Sequence, residues 1–155
     1  LEYIFSIRVD LLDRKSCRAL ITEPVHEYLS YTNEAIEQII ALSGGHPYLI
    51  QAFCRELVEL ARNHLNPKIA IDDVESLKFQ VLDQNSYFFQ YLWGRLEDDG
   101  KELLKDIVTS EKEDFDERLL RKLEENLIIE KRDGQIFIPI GLFKLWLQKY
   151  QPWEK

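Results

Sequence analysis

The stretch Ser43-Gly44-Gly45-His46-Pro47-Tyr48-Leu49-Ile50-Gln51 separates two apolar-periodic segments and decides how the first half of the chain folds. Upstream of it, Ile36, Ile39 and Ile40 recur at helical spacing behind Thr32, a residue suited to an N-cap, which predicts a helix over residues 33–42. The two glycines end that helix, because glycine adopts the left-handed conformation without a Cβ penalty. Pro47 opens the next helix, where its missing N–H costs nothing. Ile50, Phe53, Cys54, Leu57, Val58 and Ala61 then fall on one helical face, the strongest periodic signal in the sequence.

Outward from this frame, Asp13 caps a predicted helix over residues 14–22, carrying Cys17, Leu20 and Ile21 and stopped by Pro24. Asn66-Pro67 breaks the long helix. Asp72, with Glu75 three residues on, reads as a capping box that opens a fourth helix through Val74, Leu77, Val81 and Leu82. At the other end, Tyr3, Phe5, Ile7 and Val9 alternate with their neighbours and predict a strand over residues 3–12. No sheet partner follows it nearby, and the chain of 155 residues contains no methionine. The expectation is a piece of a longer protein, with residues 1–12 forming the terminal strand of a separate core.

A second module is expected from residue 85 onward. Residues 87–96, 101–108 and 115–126 read as helices, the last with Leu119, Leu120, Leu123 and then Leu127 on one side. Residues 128–131 and 135–138 form a hairpin through Asp133-Gly134, a strong two-residue turn signal. Three helices and a hairpin outline a winged helix, and Phe143, Trp146 and Leu147 place a further helix against it. The fold class expected is mainly α: one helical unit over residues 13–84, then a winged helix over residues 85–155 with a small β-hairpin wing.

Catalytic chemistry finds little footing. His26, His46 and His64 lie on different predicted segments, without a carboxylate or cysteine at ligand spacing, and no metal or nucleophile motif is present. Residues 94–101 read Gly-Arg-Leu-Glu-Asp-Asp-Gly-Lys, but a phosphate loop has four residues between its glycines and Ser or Thr after its lysine, where Glu102 stands. Residues 69–73 hold too few apolar positions for a buried strand ending in metal-holding acids. Cys17 and Cys54 sit in apolar patterns and are expected as buried, reduced thiols of a cytoplasmic protein. No apolar run is long enough to span a membrane. What remains is the diglycine turn itself, where a helix N-terminus favours an anion and a proline ring offers a flat surface to a base.

The runs Ala19-Leu20-Ile21-Thr22-Glu23-Pro24 and Tyr31-Thr32-Asn33-Glu34-Ala35-Ile36 resemble the lid of signal-transduction ATPases of the AAA+/STAND type. So does Gly44-Gly45-His46-Pro47-Tyr48-Leu49-Ile50-Gln51, with Cys54 and Leu57-Val58 beyond it. The resemblance covers nearly the whole chain, including Tyr87-Phe88, Tyr91-Leu92-Trp93 and the Phe143, Trp146-Leu147 segment of the winged helix. It implies a parent ATPase in which an upstream P-loop domain holds ATP or ADP with magnesium, residues 13–84 form the lid, and the winged helix relays the nucleotide state to an unidentified protein partner. By position, Gly45 and Pro47 match the lid's glycine–x–proline element that contacts nucleotide, with His46 between them. Many such lids carry a sensing arginine at this helix start. Here Tyr48 and Gln51 stand instead, and Arg55 follows about two turns in. The lid and winged helix alone would be non-catalytic and bind no nucleotide tightly.

Two other functions compete. As a DNA reader, the winged helix would use Arg118, Arg121 and Lys122 on its third helix and Lys131 and Arg132 on its wing. Residues 76–155 hold 13 basic against 16 acidic side chains, and the chain carries a net charge of −8, a poor match to a phosphate-lined duplex. As a scaffold, Tyr87-Phe88-Phe89 and residues 143–146 would form an apolar docking patch, although core packing accounts for them equally well.

Overall fold

The computed structural model describes residues 11–112 and 114–154 and is mainly helical. The strand expected over residues 3–12 lies almost wholly outside the described residues. Leu11 and Leu12, which are described, belong to no strand. The chain divides between Gln84 and Asn85 into two compact units.

The first unit begins with α1, Arg14–Thr22, whose N-cap Asp13 accepts the Ser16 N–H at 2.7 Å. Pro24 then sits in a single 3-10 turn, Glu23–Val25. Helix α2, Asn33–Ser43, starts as its sequence predicts, with the Thr32 hydroxyl accepting the Ala35 N–H at 3.1 Å, and ends at Gly44 with φ 62°. Helix α3, Pro47–His64, buries Leu49, Ile50, Ala52, Phe53, Leu57 and Ala61. The leucine, isoleucine and phenylalanine side chains among them each contribute on the order of 1.5–3 kcal/mol when fully buried. Helix α4, Ile71–Gln84, buries Val74, Leu77, Val81 and Leu82. It packs on α2 and α3, while α3 also packs on α1.

Two features of this unit depart from the sequence reading. A short parallel pair, β1 (Ser30–Tyr31) and β2 (Lys68–Ile69), ties the start of α2 to the end of α3. Helix α4 also starts two residues earlier than the capping box over Asp72 and Glu75 implies. Asp73 reaches back to accept the Ala70 N–H at 2.8 Å, and Glu75 instead pairs with Lys78 and Gln38. Alanine has no side chain with which to reciprocate, so only half of a capping box forms.

The second unit runs α5 (Ser86–Gly94), α6 (Asp98–Thr109), α7 (Glu117–Glu125), β3 (Glu130–Arg132), β4 (Gln135–Phe137) and α8 (Gly141–Tyr150). Three helices, a hairpin and a closing helix follow the order of a winged helix. Asp133 and Gly134 both have positive φ, 49° and 78°, and Arg132 pairs with Gln135 directly across the turn. That is the backbone a two-residue hairpin loop requires. The core is aromatic: Phe89 lies 6.1 Å from Phe143 and 6.2 Å from Trp146 between ring centres, and 5.3 Å from Phe88. The Trp146 indole N–H donates to the Ser86 hydroxyl at 3.1 Å, so its one polar atom is satisfied. Phe88, Phe89 and Phe143 are buried, so the proposed patch of residues 87–89 and 143–146 is mostly core, and Tyr87 is its exposed ring.

Candidate diglycine-turn site

Gly45, His46 and Pro47 form the corner at the junction of α2 and α3, with Gly45 buried and His46 and Pro47 half-buried, and the local hydrogen bonds explain its shape. The Gly44 N–H donates to the Ile40 carbonyl at 2.8 Å, the Gly45 N–H to the Ser43 hydroxyl at 3.2 Å, and the His46 N–H to the Ser43 carbonyl at 3.1 Å. Ser43 is fully buried for this purpose. Beyond the turn, the Tyr48 N–H donates to His46 Nδ1 at 3.3 Å, and the Leu49 and Ile50 N–H groups donate to the His46 carbonyl. Pro47 has no N–H to offer. The backbone donors of the turn are therefore spent inside the protein, and the anion cradle that the sequence suggested is not built.

Gly45 has a second constraint. Its φ is 81°, and a Cβ placed on it would lie 2.6 Å from the carbonyl oxygen of Leu12. The backbone that approaches this glycine closely is thus the chain's own. The Leu12 N–H donates to the Gly45 carbonyl at 2.8 Å, and the Cys17 thiol donates to the Leu12 carbonyl at 3.7 Å. The surface left at the turn is made by the half-buried His46, Pro47 and Tyr48, with the imidazole and phenol rings 6.4 Å apart and nearly perpendicular.

Burial pushes the His46 imidazole down to about 4 from an ordinary value of 6.5. Its N-cap role acts in the same direction: Nδ1 must stay unprotonated to accept the Tyr48 N–H, and a positive charge is disfavoured at a helix N-terminus. Between pH 6.5 and 4 the unfolded chain binds a proton that the folded chain refuses. Stability is therefore fully present above pH 6.5 and falls as pH drops through this window, by about 2 kcal/mol after discounting for partial exposure. His46→Asn keeps an N-cap acceptor and cannot titrate. Its urea midpoint should fall less than that of the wild type between pH 7 and pH 4.5; equal falls would contradict the assignment.

The other buried polar contact of α3 lies away from the turn. The buried Tyr31 hydroxyl lies beside the Cys54 thiol, a weak partner, and no other hydrogen-bond partner reaches it among the described residues. Burial raises both groups, the thiol to about 11, so Cys54 is a protonated and sluggish nucleophile. Removing a poorly satisfied buried hydroxyl leaves no greater deficit, so Tyr31→Phe should leave stability within roughly 0.5 kcal/mol of the wild type or raise it. A loss beyond about 1.5 kcal/mol in a thermal melt would mean that the hydroxyl is well bonded.

The five cations considered for DNA do not form a free patch. Lys122 pairs with Glu97 at 2.9 Å, Lys131 with Glu117 at 2.8 Å and Arg132 with Glu130 at 2.8 Å. Arg118 and Arg121 are exposed on α7, between Asp116 and Glu117 before them and Glu124 and Glu125 after. Among the described residues, no cluster of three or more His, Cys, Asp or Glu is placed to hold a metal ion, and no helix is long and apolar enough to cross a membrane. Models of known protein families, curated proteins and solved structures yield no match to the chain.

Proposed function

We propose that this chain is the regulatory lid and winged helix of a nucleotide-driven switch of the AAA+/STAND kind. In this reading the start of α3 touches ATP or ADP held by a P-loop domain of the same polypeptide. The observation that carries it is the turn: the glycine–x–proline element is folded as a hydrogen-bonded corner with the half-buried His46 and Pro47 rings at its surface and Tyr48 beside them. Such a corner suits the flat face of a nucleotide's base. It does not suit the phosphates, since the turn's backbone donors are already used. Gly45 builds the corner, while His46 and Pro47 make the contact. Phosphates and magnesium would fall to the P-loop domain, and the lid and winged helix alone would neither hydrolyse ATP nor hold it tightly.

The switching follows from differential affinity. A surface that touches nucleotide in one arrangement of the parent and not in another makes the bound nucleotide bias the two populations, by no more than the difference in contact free energy. The second unit follows the last residue of α4 directly in the sequence, so its partner contacts are the natural output. Photolabelling the full-length polypeptide with 8-azido-ATP tests this: label on the peptide containing residues 45–48 is expected, and label confined to other segments would defeat it. The DNA reading is not adopted, because three of its five cations are already paired within the second unit.

A further inference from the structure

Leu12 stands one residue before the cap of α1, yet both its N–H and its carbonyl meet Gly45 of the candidate turn. Its N–H donates to the Gly45 carbonyl at 2.8 Å. Its carbonyl lies where a Gly45 side chain would begin, 2.6 Å from that position, and the same carbonyl accepts the thiol of Cys17, which is wholly buried. Cys17 Sγ itself lies 3.5 Å from the missing Cβ of Gly45. Three atoms from two residues, Leu12 and Cys17, thus close around one glycine. A helix ending needs a residue that tolerates positive φ, which Gly44 already supplies at φ 62°. The second glycine is required for Leu12 to sit down.

We propose that Leu12 is a latch: its backbone, seated on Gly45 and held by Cys17, positions the His46–Pro47 start of α3, so that movement of the chain at Leu11 reaches that surface directly. This rests on the reading of the α3 start as a nucleotide contact, and it adds the positioning residues and the route by which the site is regulated. With Leu12 seated, the turn is fixed and the rings of His46 and Pro47 are presented together. With Leu12 withdrawn, the Gly45 carbonyl loses its donor and the glycine pair regains its conformational freedom, so the helix start loosens.

Hydrogen exchange by mass spectrometry on the intact protein reads this directly. Leu12→Pro deletes the latch donor, and the amides of residues 46–50 should then exchange about tenfold faster while those of α4 stay unchanged. Unchanged exchange at residues 46–50 would overturn the latch. Should Leu12→Pro fail to fold in a thermal melt, Cys17→Ala keeps the donor and removes only the thiol. About threefold faster exchange in the same peptide is then expected, and no change overturns the proposal equally. Affinity of the full-length polypeptide for a fluorescent ATP analogue separates the latch from the contact reading. If Pro47→Ala weakens binding and the latch variant does not, the latch is wrong and the contact stands. If exchange quickens in the latch variant while Pro47→Ala binds as tightly as wild type, the latch stands and the contact reading falls.

Discussion

Replacing Gly45 by alanine is expected to lower the stability of the first unit by about 3 kcal/mol, with about 1 kcal/mol from forcing a side chain into positive φ and the rest from overpacking. The overpacking has little outlet, because the atom in the way is the Leu12 carbonyl oxygen, a backbone group and not the far end of a flexible side chain. Gly134 is the internal control. Its φ of 78° nearly equals that of Gly45, but a Cβ there meets nothing within 4 Å, so Gly134→Ala should cost only the conformational part, about 1 kcal/mol. All three tryptophans belong to the second unit, so their fluorescence follows that unit while far-UV circular dichroism follows both. In urea, Gly45→Ala should shift a helix-loss transition to lower concentration and leave the tryptophan transition in place. A cost no greater than that of Gly134→Ala would mean that Leu12 does not occupy the space beside Gly45.

The second large effect is expected at Phe89. The ring is fully buried and touches Phe88, Phe143 and Trp146. Truncation to alanine removes a large transfer free energy and leaves a cavity that neighbouring rings, stacked on one another at 20°, fill poorly. A loss of about 3–5 kcal/mol is expected, a large fraction of the stability of any small domain. Near-UV dichroism and the tryptophan transition should both collapse. Tyr87, the adjacent residue, is 74% exposed, so Tyr87→Ala should stay within roughly 0.5 kcal/mol of the wild type. Equal losses from the two substitutions would contradict an aromatic core centred on Phe89.

Much of the fold was legible because it is encoded locally. Asp13 and Thr32 cap the helices that their chemistry announces, Pro47 starts α3, and Asp133-Gly134 closes a two-residue hairpin. Each is decided by a handful of neighbouring atoms. Most of the features that escaped are set by distant residues. The pairing of Ser30–Tyr31 with Lys68–Ile69 involves too few residues to leave a period. The start of α4 is a local exception: Asp73 accepts the Ala70 N–H, so the cap falls two residues before the Asp72 that the pattern favoured. The approach of Cys54 to Tyr31 had no sequence signal.

The diglycine turn was legible as a turn but not in its reason. Two adjacent glycines before a proline announce a helix break, and glycine invites close approach by something. Whether that something is a ligand or the protein's own backbone depends on where Leu12 lies, thirty-three positions earlier in the numbering. The same packing moved the expected contact from backbone donors to ring faces. Serine at position 43 was the available clue, since a buried hydroxyl just before two glycines can consume the amide that an anion would need.

The central claim is that the His46–Pro47 corner touches nucleotide, and titration of ATP and ADP into the full-length polypeptide with and without Pro47→Ala tests it most directly. The substitution leaves every hydrogen bond of the turn in place, since proline donates none. Loss of the ring's apolar contact should weaken binding roughly five- to tenfold, equivalent to about 1 kcal/mol. Identical affinities for both nucleotides in the two proteins would show that the corner serves only to join α2 to α3.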